Sequence, residues 1–110
     1  MEIVIHPNKD VGRSMANKPL SQAAHTWDQR FRESGFLFGT EPNVYLASQR
    51  HLLDSGKTVL AVADGEGRNG VWLAQQGLVV DAFDISAVGV AKARQLAQQA
   101  SVAVNFNVCD

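Results

Sequence analysis

Residues Val62–Gly70 read VADGEGRNG, and within them Gly65-Glu66-Gly67-Arg68-Asn69-Gly70 satisfies the pattern G-x-G-x-x-G. An apolar run, Thr58–Ala63 (TVLAVA), leads into it, and a helix-forming run from Arg68 to Gln76 leads out. A glycine turn between a buried strand and a helix lets a ligand come close to the backbone. The helix N-terminus behind such a turn carries partial positive charge and ordinarily receives a phosphate. Here two carboxylates, Asp64 and Glu66, stand inside the turn, where they would repel a pyrophosphate. They favour a cationic ligand instead. Without such acidic partners, glycines 65, 67 and 70 would read equally well as a tight strand–helix joint.

Working outward, TVLAVA is apolar on both faces, as a buried strand of a parallel sheet is expected to be. The helix after the turn closes at Gly77, and Leu78–Asp84 (LVVDAFD) forms a second strand. Ser86 caps a helix reaching about Ala100, with Val90, Ala93, Ala97 and Ala100 on one face. The segment 102–108 (VAVNFNV) alternates, placing Val102, Val104, Phe106 and Val108 on one side of a third strand. Upstream, TWDQRFRESG predicts a short helix ending at Gly35, and Pro42 fits the first turn of another that runs to about Ser55 and stops at Gly56. The pattern is β-α-β-α-β with helical crossovers. The expected fold is therefore α/β, a Rossmann-like three-layer sandwich with parallel strands in the order 3-2-1 and helices N-terminal to them.

Residues 1–24 read as a separate arm. EIVI forms at most one short strand stopped by Pro7, and the rest is polar and Gly/Pro-punctuated, the pattern of an extended tract. Residues 25–110 make the ligand-binding domain. A net charge of −1 and a 45% apolar composition give no global attraction to nucleic acid or to a membrane. The single cysteine, Cys109, excludes an internal disulfide framework and suits a reducing compartment, and the N-terminal apolar run is too short for a signal or a span. A cytoplasmic protein is the expectation. His6, His25 and His51 share no ligand spacing with one another or with Cys109, so no metal site is expected. Arg30, Arg32 and Lys92–Arg94 read as solvated helix faces.

The strand ends narrow the ligand further. Asp84 closes the second strand, where a carboxylate can accept both hydroxyls of a ribose, and Asp110 follows the third, within reach of an adenine amino group. Both NAD and S-adenosylmethionine contain a ribose, so Asp84 alone does not separate them. S-adenosylmethionine carries a sulfonium and an ammonium and no phosphate, which suits Asp64 and Glu66.

Taken together, WDQRF, FGTEPNVYL, VLAVADGEGRNGVWLAQQG, VVDAFDIS and VNFNVCD occur in order over Trp27–Asp110. This stretch, about three quarters of the chain, resembles the first half of a class I S-adenosylmethionine-dependent methyltransferase. Within that superfamily it is similar to the tellurite-resistance-type and thiopurine-type small-molecule branch. The resemblance implies that the backbone of Ala63, Asp64, Gly65, Glu66 and Gly67 holds the methionine part of the cofactor, with Asn69 in the same group. It implies that Asp84 binds the ribose, that Ile85 packs on the adenine, and that Cys109 and Asp110 meet the adenine edge. Trp27 and Phe38 would cover the methionine end. Two positions depart from the pattern: Ala61 stands where many members have an acidic residue, and Ala63 where they have glycine.

The resemblance also implies further strands beyond Asp110 that supply the acceptor pocket, so the expectation is a truncated domain. With three strands alone, the apolar Thr58–Ala63 would form a bare edge, an aggregation hazard that something should cover. A second copy, giving a homodimer, is the expected cover; the arm strand EIVI folding back and a separate polypeptide are the others. The implied function is methyl transfer to a small-molecule acceptor if the domain is complete or complemented. The alternative is a non-catalytic module that dimerises and binds the cofactor or its demethylated product without turnover.

Overall fold

The computed structural model describes residues 2–6, by backbone alone, and residues 21–109. Four strands form one sheet: β1 (Glu2–His6), β2 (Thr58–Val62), β3 (Val79–Asp84) and β4 (Asn105–Val108), in the spatial order β1-β2-β3-β4. Strands β2, β3 and β4 are parallel neighbours, as the sequence predicts. Their crossovers are α3 (Arg68–Gln75) and α4 (Ala87–Gln99), and α1 (Gln22–Phe31) and α2 (Val44–Ser48) precede them.

The core lies on one face of the sheet. In register, Val59 pairs with Val80, Ala61 with Ala82, and Ala82 with Phe106, and all five are buried. Leu73 of α3 and Val90, Ala93 and Ala97 of α4 close over them. The period of two on the strands meets the period of 3.6 on the helices, so each element contributes one apolar side. On the opposite face the side chains of Leu60, Val62 and Phe83 are half-buried, and Val79 is 55% exposed.

The edge of β2 is not bare. Strand β1 pairs with it antiparallel, from Glu2 against Val62 to His6 against Thr58. The arm therefore supplies the cover within the same chain. The rest of the arm, residues 7–20, lies outside the described residues.

Three element boundaries differ from the sequence reading, each for a local reason. Helix α1 starts at Gln22, inside the stretch assigned to the arm, because Ser21 caps it by accepting from Ala24 N–H at 3.1 Å; it ends at Phe31 rather than Gly35. The helix expected from Pro42 to Ser55 is one short turn, α2, followed by a 3₁₀ turn at Arg50–Leu52. Asn43, not Pro42, opens it, its side chain accepting from Tyr45 and Leu46 N–H. Neither segment fully buries a residue, and with only Leu46 of α2 packed on the core the short helix does not extend. Strand β4 begins at Asn105, while Val102 and Val104 pack on the core from the loop before it.

Candidate functional site

The carboxyl ends of β2, β3 and β4 are tied together by the backbone. Asp64 N–H donates to Phe83 O at 3.0 Å, and Cys109 N–H donates to Asp84 O at 2.8 Å. Above this edge lies a cavity of about 600 Å³. Its floor is the glycine turn, one wall is Phe83–Ile85 with Cys109, and the other is built from Trp27 and Phe31 of α1 and from Phe38 and Gly39 of the loop before α2.

The turn takes its shape from left-handed backbone. Gly65 has φ +59° and Gly67 φ +93°, and Ala63 shares that region at φ +59°. A glycine at position 63 would relieve a non-glycine residue of roughly 1–2 kcal/mol of strain. Gly67 serves packing rather than the cavity: a Cβ there would stand 2.7 Å from Ala93 Cβ and 2.9 Å from Ala93 Cα, so α3 and α4 meet at this glycine. A Cβ at Gly70 would lie 2.5 Å from Asp64 Oδ2.

The four acidic side chains near the cavity have distinct jobs. Asp84, 7% exposed, is gripped by two amides: Oδ1 accepts from Gly65 N–H and Oδ2 from Ser86 N–H, both at 2.9 Å. Each oxygen keeps a second lone pair, and the carboxylate is held rigid on the cavity wall. Asp64 lies against the start of α3, where Oδ1 accepts from Gly70 N–H at 3.1 Å. Burial pushes its pKa up from 3.8 to about 7, with the Asp84 charge adding to the rise and the Gly70 N–H and Arg68 opposing it. Glu66 does not offer its charge to the cavity. Its Oε1 accepts from Leu37 N–H at 2.7 Å and its Oε2 pairs with Lys92 Nζ at 3.0 Å. Asp28, absent from the sequence reading, accepts from Ser86 Oγ and Val88 N–H and so fastens α1 to the start of α4.

The connection from α1 to α2 is strapped to the turn beneath it. Asn43 N–H donates to Asn69 Oδ1 at 2.6 Å, Arg68 reaches Glu41 O at 3.3 Å, and Leu37 N–H meets Glu66. Lys92, read from sequence as a solvated face, donates to Glu33 O and Gly35 O at 2.6 Å each as well as to Glu66.

Of the site residues expected from sequence, Ala63, Asp64, Gly65, Glu66, Asn69, Asp84, Ile85, Cys109, Trp27 and Phe38 all line the cavity. Gly67 sits behind it, and Asp110 lies outside the described residues. Phe31 and Arg68 line it too and were missed. The signal for Phe31 was present: it lies four residues after Trp27, and the two rings stack with centroids 5.4 Å apart. Among the described residues no cluster of His, Cys, Asp and Glu could hold a metal, and no helix is long and apolar enough to cross a membrane.

No protein-family profile matches the sequence, and no curated protein matches it. Solved structures do. A protein described with the conversion of a disulfide bond into a thioacetal group during echinomycin biosynthesis is 22% identical with a TM-score of 0.66, over 81% of this chain and 40% of the other. The Pyrococcus abyssi tRNA (uracil-54, C5)-methyltransferase, in complex with S-adenosyl-L-homocysteine, is 26% identical with a TM-score of 0.53, over 60% of this chain and 17% of its own. The magnesium protoporphyrin IX methyltransferase from Synechocystis PCC 6803, with S-adenosylhomocysteine bound, is 21% identical with a TM-score of 0.51, over 81% of this chain and 47% of its own. These structures share the fold, and the chain spans less than half the length of each. Methyltransferases recur among them.

Proposed function

We propose that this chain is a methyltransferase-family domain that binds S-adenosylmethionine and, with an acceptor site, passes its methyl group to a small molecule. The observation that carries the reading is the carboxyl group built into the glycine turn. The start of α3, where a dinucleotide would seat its pyrophosphate, already carries the Asp64 carboxyl on Gly70 N–H. The turn keeps the close backbone approach of a nucleotide site while disfavouring phosphate. A sulfonium nucleoside, with a ribose and positive charge but no phosphate, fits that combination.

The residues present also fit the rest of such a ligand. Asp84 has a free lone pair on each oxygen for a ribose diol, and Ile85 and Cys109 border the space beside it for an adenine. Trp27, Phe31 and Phe38 give the opposite wall an aromatic lining. When bound, the cofactor would supply an electrophilic methyl group; the protein's part is to hold and align it and to exclude water. The similarity to two methyltransferases crystallised with S-adenosylhomocysteine supports the assignment. The tellurite-resistance and thiopurine branch, with a small-molecule acceptor, remains the proposed subgroup on the motifs quoted above.

A homodimer through the β2 edge would require β1 to be exchanged between copies, since that edge is already paired. Cys109 is a free, half-buried thiol, in keeping with the proposed cytoplasmic setting.

Calorimetric titration with S-adenosylhomocysteine, against NAD as the control, tests the reading. Binding of the first alone is expected. Binding of NAD alone would replace this reading with a dinucleotide site, and no binding by a folded sample would favour the alternative of a domain that keeps the turn as architecture.

A further inference from the structure

Among the described residues, Arg68 is the only cationic side chain that lines the cavity, and it opens α3. It is half-buried, and its guanidinium commits a single N–H donor, Nη1 to Glu41 O at 3.3 Å, a long bond to a neutral acceptor. Among the described residues no carboxylate pairs with it. Its guanidinium carbon stands 5.9 Å from the centre of the Phe38 ring. The neighbouring cations are spent by comparison. Lys92 gives its ammonium to Glu33 O, Gly35 O and Glu66, and Arg30 lies over the Trp27 ring at 4.7 Å. Arg68 is a fork of donors on the cavity wall with most of its bonding left over.

We propose that Arg68 anchors the carboxylate at the amino-acid end of the ligand, and so makes the site select a nucleoside that carries an α-amino acid. The inference rests on the reading of the cavity as a site for S-adenosylmethionine and adds the residue that recognises the negative end of that molecule. The order of the strand ends sets the direction of the ligand. Cys109 follows β4, Asp84 ends β3, and the glycine turn follows β2. With the base beside Ile85 and Cys109 and the ribose on Asp84, the remainder of the ligand runs away from β4 and over the turn. Arg68 stands at the far end of that turn, beyond Gly65, whose N–H is already bound to Asp84. A carboxylate there replaces a weak contact to a carbonyl with a charge-assisted, two-pronged bond. The carboxyl groups of the turn do not compete for Arg68. Glu66 is taken by Leu37 N–H and Lys92, and Asp64 is turned to Gly70 N–H.

The test is calorimetry of the full chain with S-adenosylmethionine and with its decarboxylated form, which keeps the nucleoside, the sulfonium and the amine. The wild type should bind the decarboxylated form about 10–100-fold more weakly. Arg68→Met should weaken S-adenosylmethionine by a similar factor and hold the decarboxylated form to within about twofold of the wild type. Arg68→Lys, which keeps the charge without the planar fork, should fall between the two. Equal binding of both ligands by the wild type would overturn the inference and leave the cofactor reading standing, whatever Arg68→Met does to the fold. An equal loss of both ligands in a folded Arg68→Met would also overturn it, marking the residue as a prop for the turn. Failure of both nucleosides to bind the folded wild type would overturn the cofactor reading, and this inference with it.

Discussion

Replacing Gly67 by alanine should destabilise the domain more than its single methyl group suggests. Gly67 has φ +93°, a conformation that costs an L-residue roughly 1–2 kcal/mol. The added Cβ would also stand 2.7 Å from Ala93 Cβ and 2.9 Å from Ala93 Cα. The second contact is to backbone, so no rotamer change relieves it and α4 must shift as a body. Ala93 is 1% exposed and belongs to the core with Val90 and Ala97, so that shift disturbs packing worth about 1–3 kcal/mol. The sum, about 2–5 kcal/mol, is a large share of the 5–15 kcal/mol expected for a domain of this size. Gly65→Ala is the control. It has the same sign of φ, but the nearest atom to its new Cβ is Phe31 Cζ at 3.4 Å, an ordinary contact. Urea denaturation followed by circular dichroism should therefore rank Gly67→Ala well below Gly65→Ala. A loss under about 1 kcal/mol for Gly67→Ala, or equal losses for the two, would refute the close α3–α4 approach on which the turn depends.

Two further outcomes follow from the charged groups. Lys92→Met leaves the Glu66 carboxylate buried with only Leu37 N–H, at an expected cost of about 3–5 kcal/mol, and frees the α1–α2 connection from the glycine turn. Trypsin should then cut after Arg32 faster than in the wild type, and the double variant Glu66→Gln, Lys92→Met should recover part of the stability. Stability should also fall as pH rises from about 4 to 7. Asp64 keeps its proton when folded up to about 7 but ionises near 3.8 when unfolded, so the unfolded state gains over that window, by about 4 kcal/mol in all, with no further change from this group above it. Denaturation curves of Asp64→Asn should lack that component.

What the sequence made legible was the part governed by local pattern. The alternation around Phe106, the apolar run Thr58–Val62 and the cap at Ser86 each declare an element through neighbours two to four residues away, and each appears in the structure. The cavity wall followed, because strand ends in a parallel sheet converge on one edge wherever the crossovers are short. Glu66 shows where this stops. Its carboxylate looked like a ligand group, but its partners Leu37 and Lys92 lie 29 and 26 residues away in sequence, and only tertiary packing reveals that they absorb it. Asp28 was hidden in the same way, its partners Ser86 and Val88 being 58 and 60 residues distant. The cover of the β2 edge was among the alternatives considered, yet the choice between a second copy and EIVI depends on how the intervening residues 7–20 run, which local pattern does not fix.

The central claim, that the glycine turn and the adjoining strand ends form one nucleoside site, is tested most directly by amide chemical-shift mapping of the labelled chain as S-adenosylhomocysteine is added. The account predicts concerted shifts at Ala63–Gly67, Asp84, Ile85 and Cys109, with little change at the far ends of the strands near Thr58 and Val79. Shifts scattered over the surface, or confined to α2 and the opposite sheet face, would contradict it.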